Sequence, residues 1–157
     1  SAANRQPLQY RLVCDDETNS RVYDCLGWAG YYKDWDGPVA EERPSAYIIM
    51  VTPQDVNPQW DEGIAGQTIL LAATEMGLGG CMIGNFGAGS VKEALSLPEY
   101  LSPMLIVAIG KPAETVVLEE VEDGESIAYY RDEQDVHHVP KRKLADVVLD
   151  RSMLRQQ

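Results

Sequence analysis

The sequence predicts one compact domain that combines strands and helices, and three observations predict it. Two short apolar runs rich in β-formers, Ala46-Tyr47-Ile48-Ile49-Met50-Val51 and Leu105-Ile106-Val107-Ala108-Ile109, have the length and composition of buried strands. Between them, the stretch from Asp61 to Met76 places Ile64, Ala65, Ile69, Leu70, Ala72, Ala73 and Met76 around most of a helical circumference. A chain of 157 residues with 45% hydrophobic content supports one sizeable core and not two ordinary domains, so residues 1–157 read as a single domain.

Taken in order, Tyr10, Leu12 and Cys14 alternate with Gln9, Arg11 and Val13, the pattern of a short strand entered through a Gln6-Pro7 turn. Asp15 to Asn19 reads as a polar break. Helical spacing of Val22, Tyr23, Leu26 and Ala29 predicts a helix from Ser20 to about Tyr32, weakened toward its end by Gly27 and Gly30. Asp34 to Pro44 is charged and contains Gly37, Pro38 and Pro44, so it reads as an exposed loop before the first buried strand, which Thr52-Pro53 ends.

Gly77 stands where a C-cap of the Asp61–Met76 helix belongs. A helix apolar nearly all round belongs at the centre of a fold or across a subunit interface. Cys81 to Phe86 is a small apolar segment between glycines, and Ser90-Val91-Lys92-Glu93 has the spacing of a capping box opening a helix to about Leu95. Gly110-Lys111-Pro112 closes the second buried strand. From Glu114 to Asp135 the chain turns strongly acidic, with strand-like Thr115–Leu118 and Ile127–Tyr130, and residues 114–143 read as an extended arm that leaves the core. A terminal helix with Leu144, Val147 and Val148 on one face follows Pro140-Lys141-Arg142-Lys143.

Charge narrows the function. With 25 acidic against 13 basic side chains and a formal net charge of −12, the surface repels nucleic acid and anionic membranes. A small phosphate-bearing ligand needs only a local cluster of donors and stays admissible. The three cysteines, Cys14, Cys25 and Cys81, lack a C-x-x-C pair, which fits free thiols in a reducing, cytoplasmic setting. No run of about 18 apolar residues is present to span a bilayer.

Several chemistries lose their footholds. Gly77-Leu78-Gly79-Gly80 follows a helix and precedes a β-like segment, the reverse of a dinucleotide-binding fingerprint, so a C-cap and turn is the plainer reading. No Walker loop, Gly-x-Ser-x-Gly elbow or H-E-x-x-H is present. His137 and His138 are adjacent, and on a strand they point to opposite faces, which argues against a shared metal or proton relay. Glu119, Glu120 and Asp123 read as a solvated acidic face without chemistry. Lys141, Arg142 and Lys143 are the only cationic triplet, and are either a phosphate clamp or a solvated chain end.

Five separated stretches resemble the FMN-dependent nitroreductase family. Ser1-Ala2-Ala3-Asn4-Arg5-Gln6-Pro7, followed by the Tyr10 strand, resembles its S-x-x-N-x-Q-P block, and Asp61 through Gly79 resembles its long helix ending in G-L-G. Cys81-Met82-Ile83-Gly84-Asn85-Phe86 resembles the segment that runs past the flavin, and Leu105 to Pro112 the strand closing in G-x-P. Val136 to Leu144 is similar to the C-terminal H-x-V-P-[K/R]-x-[K/R] block of the shorter members.

This resemblance implies an α+β fold: a central mixed or antiparallel sheet flanked by helices, with the long helix at a homodimer interface. It implies FMN as cofactor, NAD(P)H as hydride donor to flavin N5, and a small-molecule electrophile such as a nitro compound or quinone as acceptor; the cofactor supplies the reactive chemistry. Carried over residue by residue, Ser1, Ala2 and Asn4 meet the flavin from the neighbouring subunit, with Gln6 holding that loop. Met82, Ile83, Gly84 and Asn85 pass the ring edge, the backbone N–H of Gly84 reaches N5, and Lys141 and Lys143, with Arg142 a weaker candidate, take the phosphate. No metal is implied. The family's Glu beside the N5 donor is absent, as are its N-terminal helix and R-x-S-x-R motif, so weakened or lost FMN affinity is expected of this sequence. The alternative reading is a non-catalytic dimer that binds a flavin, a nucleotide or a protein partner. Neither the substrate nor a preference for NADH or NADPH is legible.

Overall fold

A computed structural model describes residues 1–32, 34–58 and 60–149 and shows two compact units. The first comprises Ser1–Ala29 and Trp35–Pro112; the second comprises Gly30–Asp34 and the chain from Ala113 onward.

The first unit is built on a four-stranded antiparallel sheet of β1 (Gln9–Val13), β2 (Ala46–Pro53), β3 (Gly79–Ile83) and β4 (Leu101–Gly110), in the order β1-β2-β4-β3. The two expected buried strands are therefore the central pair. Each is longer than expected, and β4 begins four residues earlier, at Leu101, because the register shifts there: Met50 pairs with Leu105 but Val51 with Pro103. This bulge accommodates a proline that cannot donate to the ladder.

One sheet face carries α1 (Asp16–Tyr23) and α3 (Ala88–Ala94). Val22 of α1 and Val91 of α3 meet Val13, Tyr47, Ile49, Val51, Ile83, Ile106 and Ala108 in the core. The other face carries α2 (Asp61–Glu75), where a Cβ added at Gly66 would meet Met82 Sδ at 2.7 Å and one at Gly80 would meet Leu70 Cδ2 at 2.9 Å. Those two contacts are with the ends of flexible side chains, whereas at Gly80 the nearest atom is the backbone Ala108 O, so it is the approach to β4 that requires glycine. Gly77, at φ +73°, ends α2 in a Schellman arrangement: Leu78 N donates to Ala73 O at 2.8 Å and Gly77 N to Thr74 O at 3.0 Å.

Two local expectations are corrected. The helix predicted from Ser20 to Tyr32 is α1, which starts at Asp16 because the Asp15 carboxylate accepts from Thr18 N at 2.9 Å. It stops at Tyr23 because the following residues pair elsewhere: Leu26 bridges Phe86 antiparallel, and Gly27 N donates to Asn85 O at 2.8 Å. The same short ladder moves the next helix. Gly87 N donates to Cys25 O at 3.0 Å, so Gly87 rather than Ser90 is the N-cap of α3, and Ser90 lies inside the helix instead of opening a capping box.

The second unit has a three-stranded sheet of β5 (Val116–Val121), β6 (Tyr130–Arg131) and β7 (His137–Arg142), in the order β5-β7-β6, with β5 parallel and β6 antiparallel to β7. Of the strand expected over Ile127–Tyr130 only Tyr130 is extended and paired. Tyr129 instead packs edge-on against Tyr31 and Tyr32, with ring centroids at 4.8 and 5.2 Å. The terminal helix is a single turn, α4 (Leu144–Val147), with Leu144 and Val147 exposed.

Candidate functional site

The loop Ser1–Gln6 is internally braced. Gln6 N donates to Ser1 Oγ at 2.9 Å, and the Gln6 side-chain amide donates to both Asn4 O (3.2 Å) and Asn4 Oδ1 (3.0 Å). Ala2 lies in the short 3-10 turn Ala2–Asn4, and Ala3, Asn4 and Gln6 all have positive φ, at 50°, 54° and 49°. Three left-handed non-glycine residues in six are costly, and such backbone persists only where its surroundings over-determine it. The three hydrogen bonds of Gln6 contribute to that determination. The bracing leaves the Ser1 hydroxyl hydrogen and the Asn4 side-chain NH2 as donors not used within the loop.

Met82 and Ile83 end β3, and they diverge as strand neighbours must. Ile83 is buried in the core on the α1/α3 side, so only its backbone is offered to a ligand, whereas Met82 is exposed on the α2 side against Gly66. Gly84 and Asn85 follow, both exposed. A Cβ built on Gly84 meets no atom within 4 Å, so a flat ring can approach its backbone closely.

Beside these segments the first unit carries uncovered apolar surface. Tyr10, Leu12, Ile48, Ala65, Thr68 and Ile69 line an open groove of about 550 Å³ between β1 and α2. Leu12, Ile64 and Leu71 remain 63, 63 and 62% exposed. Surface of this kind on a folded chain marks an interaction site.

In the second unit the basic triplet faces carboxylates. Parallel pairing of β5 with β7 sets Glu120 opposite Lys141 and Val121 opposite Arg142. Arg142 donates to Asp123 at 3.2 Å and to Asp146 O at 3.0 Å, and Lys143 Nζ is bonded to Glu122. The Glu122 carboxylate raises the Lys143 ammonium above its usual value. Lys141 has no ion pair among the described residues.

His138 stands between two carboxylates. Its Nδ1 lies 2.6 Å from Glu119 Oε1 and its Nε2 3.1 Å from Asp132 Oδ2, and its ring stacks on Tyr130 at 4.7 Å. The hydrogen bonds to Asp132 and Glu119 raise it above the ordinary histidine value. His137 faces away, toward Glu114 at 3.3 Å and the Tyr32 and Tyr129 rings, as alternation on a strand requires. Glu119 is thus more than a solvated carboxylate, and Asp123 is tied to Arg142; sequence reasoning missed both because their partners lie 19 residues away across a parallel pair. Among the described residues no group of three or more His, Cys, Asp or Glu is placed to hold a metal ion, and no helix is long and apolar enough to cross a membrane.

Comparison with known proteins agrees with this architecture. The Nitroreductase family model matches residues 46–111, which run from β2 through α2, β3 and α3 to the end of β4. A protein of Methanothermobacter thermautotrophicus with the provisional name NADH dehydrogenase/NAD(P)H nitroreductase is 25% identical over 135 residues, 81% of this chain and 66% of that protein. The crystal structure of a nitroreductase family protein from Clostridium novyi NT superposes with a TM-score of 0.59 at 27% identity, covering 71% of this chain and 66% of that one. An FMN-dependent nitroreductase structure from Clostridium difficile R20291, at 22% identity, gives a TM-score of 0.57 over 87% of this chain and 74% of that one. The chain spans 66% of the length of the first two relatives. In its α+β fold and in the matched segment from β2 to β4, this chain is similar to proteins of the nitroreductase family.

Proposed function

We propose that the chain is part of an FMN-dependent NAD(P)H oxidoreductase of nitroreductase type that works as a homodimer on small electrophiles such as nitro compounds and quinones. The observation that carries this is Gly84: it lies inside the family match, directly after β3, with open space where a side chain would stand. When bound, FMN supplies hydride acceptance from NAD(P)H at N5 and delivery of electrons to the acceptor.

The chain's own residues bind and orient. The Gly84 N–H is the donor offered to N5; Met82, the Ile83 backbone and Asn85 flank it. The Ser1 hydroxyl and Asn4 amide are donors for the neighbouring subunit's flavin, presented on a loop that Gln6 holds and through which Ala2 passes. Lys141 and Lys143 provide positive charge for a phosphate, Lys141 more readily because Lys143 is shared with Glu122. The exposed apolar surface of β1 and α2 is the face that a second copy covers. The relatives support the cofactors: the Clostridium difficile structure is FMN-dependent by name, and the Methanothermobacter protein is named for NAD(P)H. A cytoplasmic, reducing setting accords with cysteines that form no disulfide among the described residues.

Anaerobic addition of NADPH or NADH to FMN-loaded protein, followed by menadione or a nitroarene, tests the reading: loss and return of the oxidised flavin band are expected. Flavin that stays oxidised with both donors would leave only the alternative, a flavin-binding or interaction module without turnover.

A further inference from the structure

The turn after α1 is bonded to the segment after β3 at two points. Gly27 N donates to Asn85 O at 2.8 Å, Gly87 N donates to Cys25 O at 3.0 Å, and Leu26 and Phe86 form the bridge between them. The backbone of Asn85 is therefore fixed by residues some sixty positions earlier. Its carboxamide is not fixed in the same way: Asn85 is exposed, and its side chain makes no hydrogen bond among the described residues. What confines it is Gly27. A Cβ added at Gly27 would stand 2.7 Å from Asn85 Cγ and 3.3 Å from Oδ1, and nearer still to Nδ2. Gly27 is not among the glycines with positive φ, so its backbone places no demand for glycine. The three heavy atoms nearest the missing side chain all belong to the Asn85 carboxamide.

We propose that Gly27 is a positioning residue for the flavin site: by lacking a side chain it seats the Asn85 carboxamide beside Gly84 at the polar edge of the ring. The inference rests on the flavin reading above. It adds a residue outside the family match, which begins at residue 46 and does not reach Gly27. Because the obstruction is the end of a flexible side chain and not backbone, an added methyl moves the carboxamide rather than breaking the fold.

Gly27→Ala, Asn85→Ala and the double variant in the full chain test it, with FMN affinity and the visible spectrum of bound flavin as readouts and thermal melting as the fold control. Loss of one well-placed hydrogen bond corresponds to about three- to tenfold weaker FMN binding. Gly27→Ala is expected to show that loss and a shifted flavin band. The double variant is expected to match Asn85→Ala alone, because without the carboxamide the atoms nearest the methyl are gone. A Gly27→Ala protein that matches wild type in affinity and spectrum, or a double variant whose losses add, overturns the proposal. Wild-type protein that binds no FMN would defeat the flavin reading instead. The seating is then decided in flavin-free protein by the Asn85 side-chain NH2 resonances: displacement in Gly27→Ala supports it, and identical positions overturn it.

Discussion

Lys143 is bonded to Glu122 across the end of the β5–β7 pair, so the sequence's only cationic triplet carries its own counter-anions. Asp123 occupies Arg142 in the same way, and Glu120 stands opposite Lys141. The turn that holds the two acids is itself braced, with Glu122 N donating to Glu125 Oε2 at 2.8 Å and Gly124 at φ +89°. A phosphate that binds here displaces a carboxylate.

Glu122→Gln should therefore strengthen phosphate and FMN binding. Glu122 is largely exposed and Lys143 partly so, and the gain is about two- to fivefold and shrinks as ionic strength rises. Lys141→Ala should weaken binding by a similar factor. Titration of both variants with FMN at low and high salt checks this; a Glu122→Gln protein that binds more weakly than wild type would contradict it.

His138 makes the second unit pH-sensitive. Both ring nitrogens face carboxylate oxygens, and only the imidazolium can donate to both. Its value is raised in the folded chain above the ordinary 6.5, so its contribution is complete below that pH and is lost as pH rises through the folded value. Amide exchange of β7 should speed up on going from about pH 6 to pH 8 beyond the intrinsic base-catalysed increase. His138→Gln should flatten that excess. Asp132 acts at the other end of the scale: its carboxylate is held low, first by Val136 N and then by His138, and protection should fall again as the medium is acidified through its folded value.

Tyr47 is fully buried in the first unit, and its hydroxyl has no hydrogen-bond partner among the described residues; burial pushes it far above the usual tyrosine range. Tyr47→Phe is then expected to leave stability unchanged or raise it by about 0–1 kcal/mol. Ile49→Ala or Ile106→Ala, which open cavities in the same fully buried layer, should cost about 2–5 kcal/mol. Urea unfolding of the three variants would measure the contrast.

Leu12 on β1 and Leu71 on α2 are more than 60% exposed, far from the usual state of leucine. If a second copy covers this surface, Leu12→Lys combined with Leu71→Glu should shift sedimentation from dimer to monomer while the circular dichroism spectrum stays native. A wild-type protein that sediments as a monomer at micromolar concentration would remove the interface.

Local chemistry made much of the fold legible. The two apolar runs became the central strands β2 and β4, and Gly77 ended α2 where a left-handed glycine was expected. The errors came from non-local pairing. Nothing within the Ser20–Tyr32 window says that Leu26 will bridge Phe86, and that one pairing both shortened α1 and moved the cap of α3 from Ser90 to Gly87. The Lys141–Lys143 triplet was visible as a cluster of charge. Its neutralisation by Glu122 and Asp123 was not, because opposing residues depend on the β5–β7 register, which a single sequence leaves open. Gly27 gave the least signal: a glycine near a helix end reads as a breaker, and its contact with Asn85 exists only in three dimensions.

We propose FMN as the cofactor of this chain, with the Gly84 N–H as the donor offered to the ring. Titration of the 157-residue chain with FMN, followed by flavin fluorescence, tests it most directly. Saturable quenching that Lys141→Ala weakens, with bleaching of the flavin band when NADH is added, is the predicted result; unquenched fluorescence across the whole titration would contradict it.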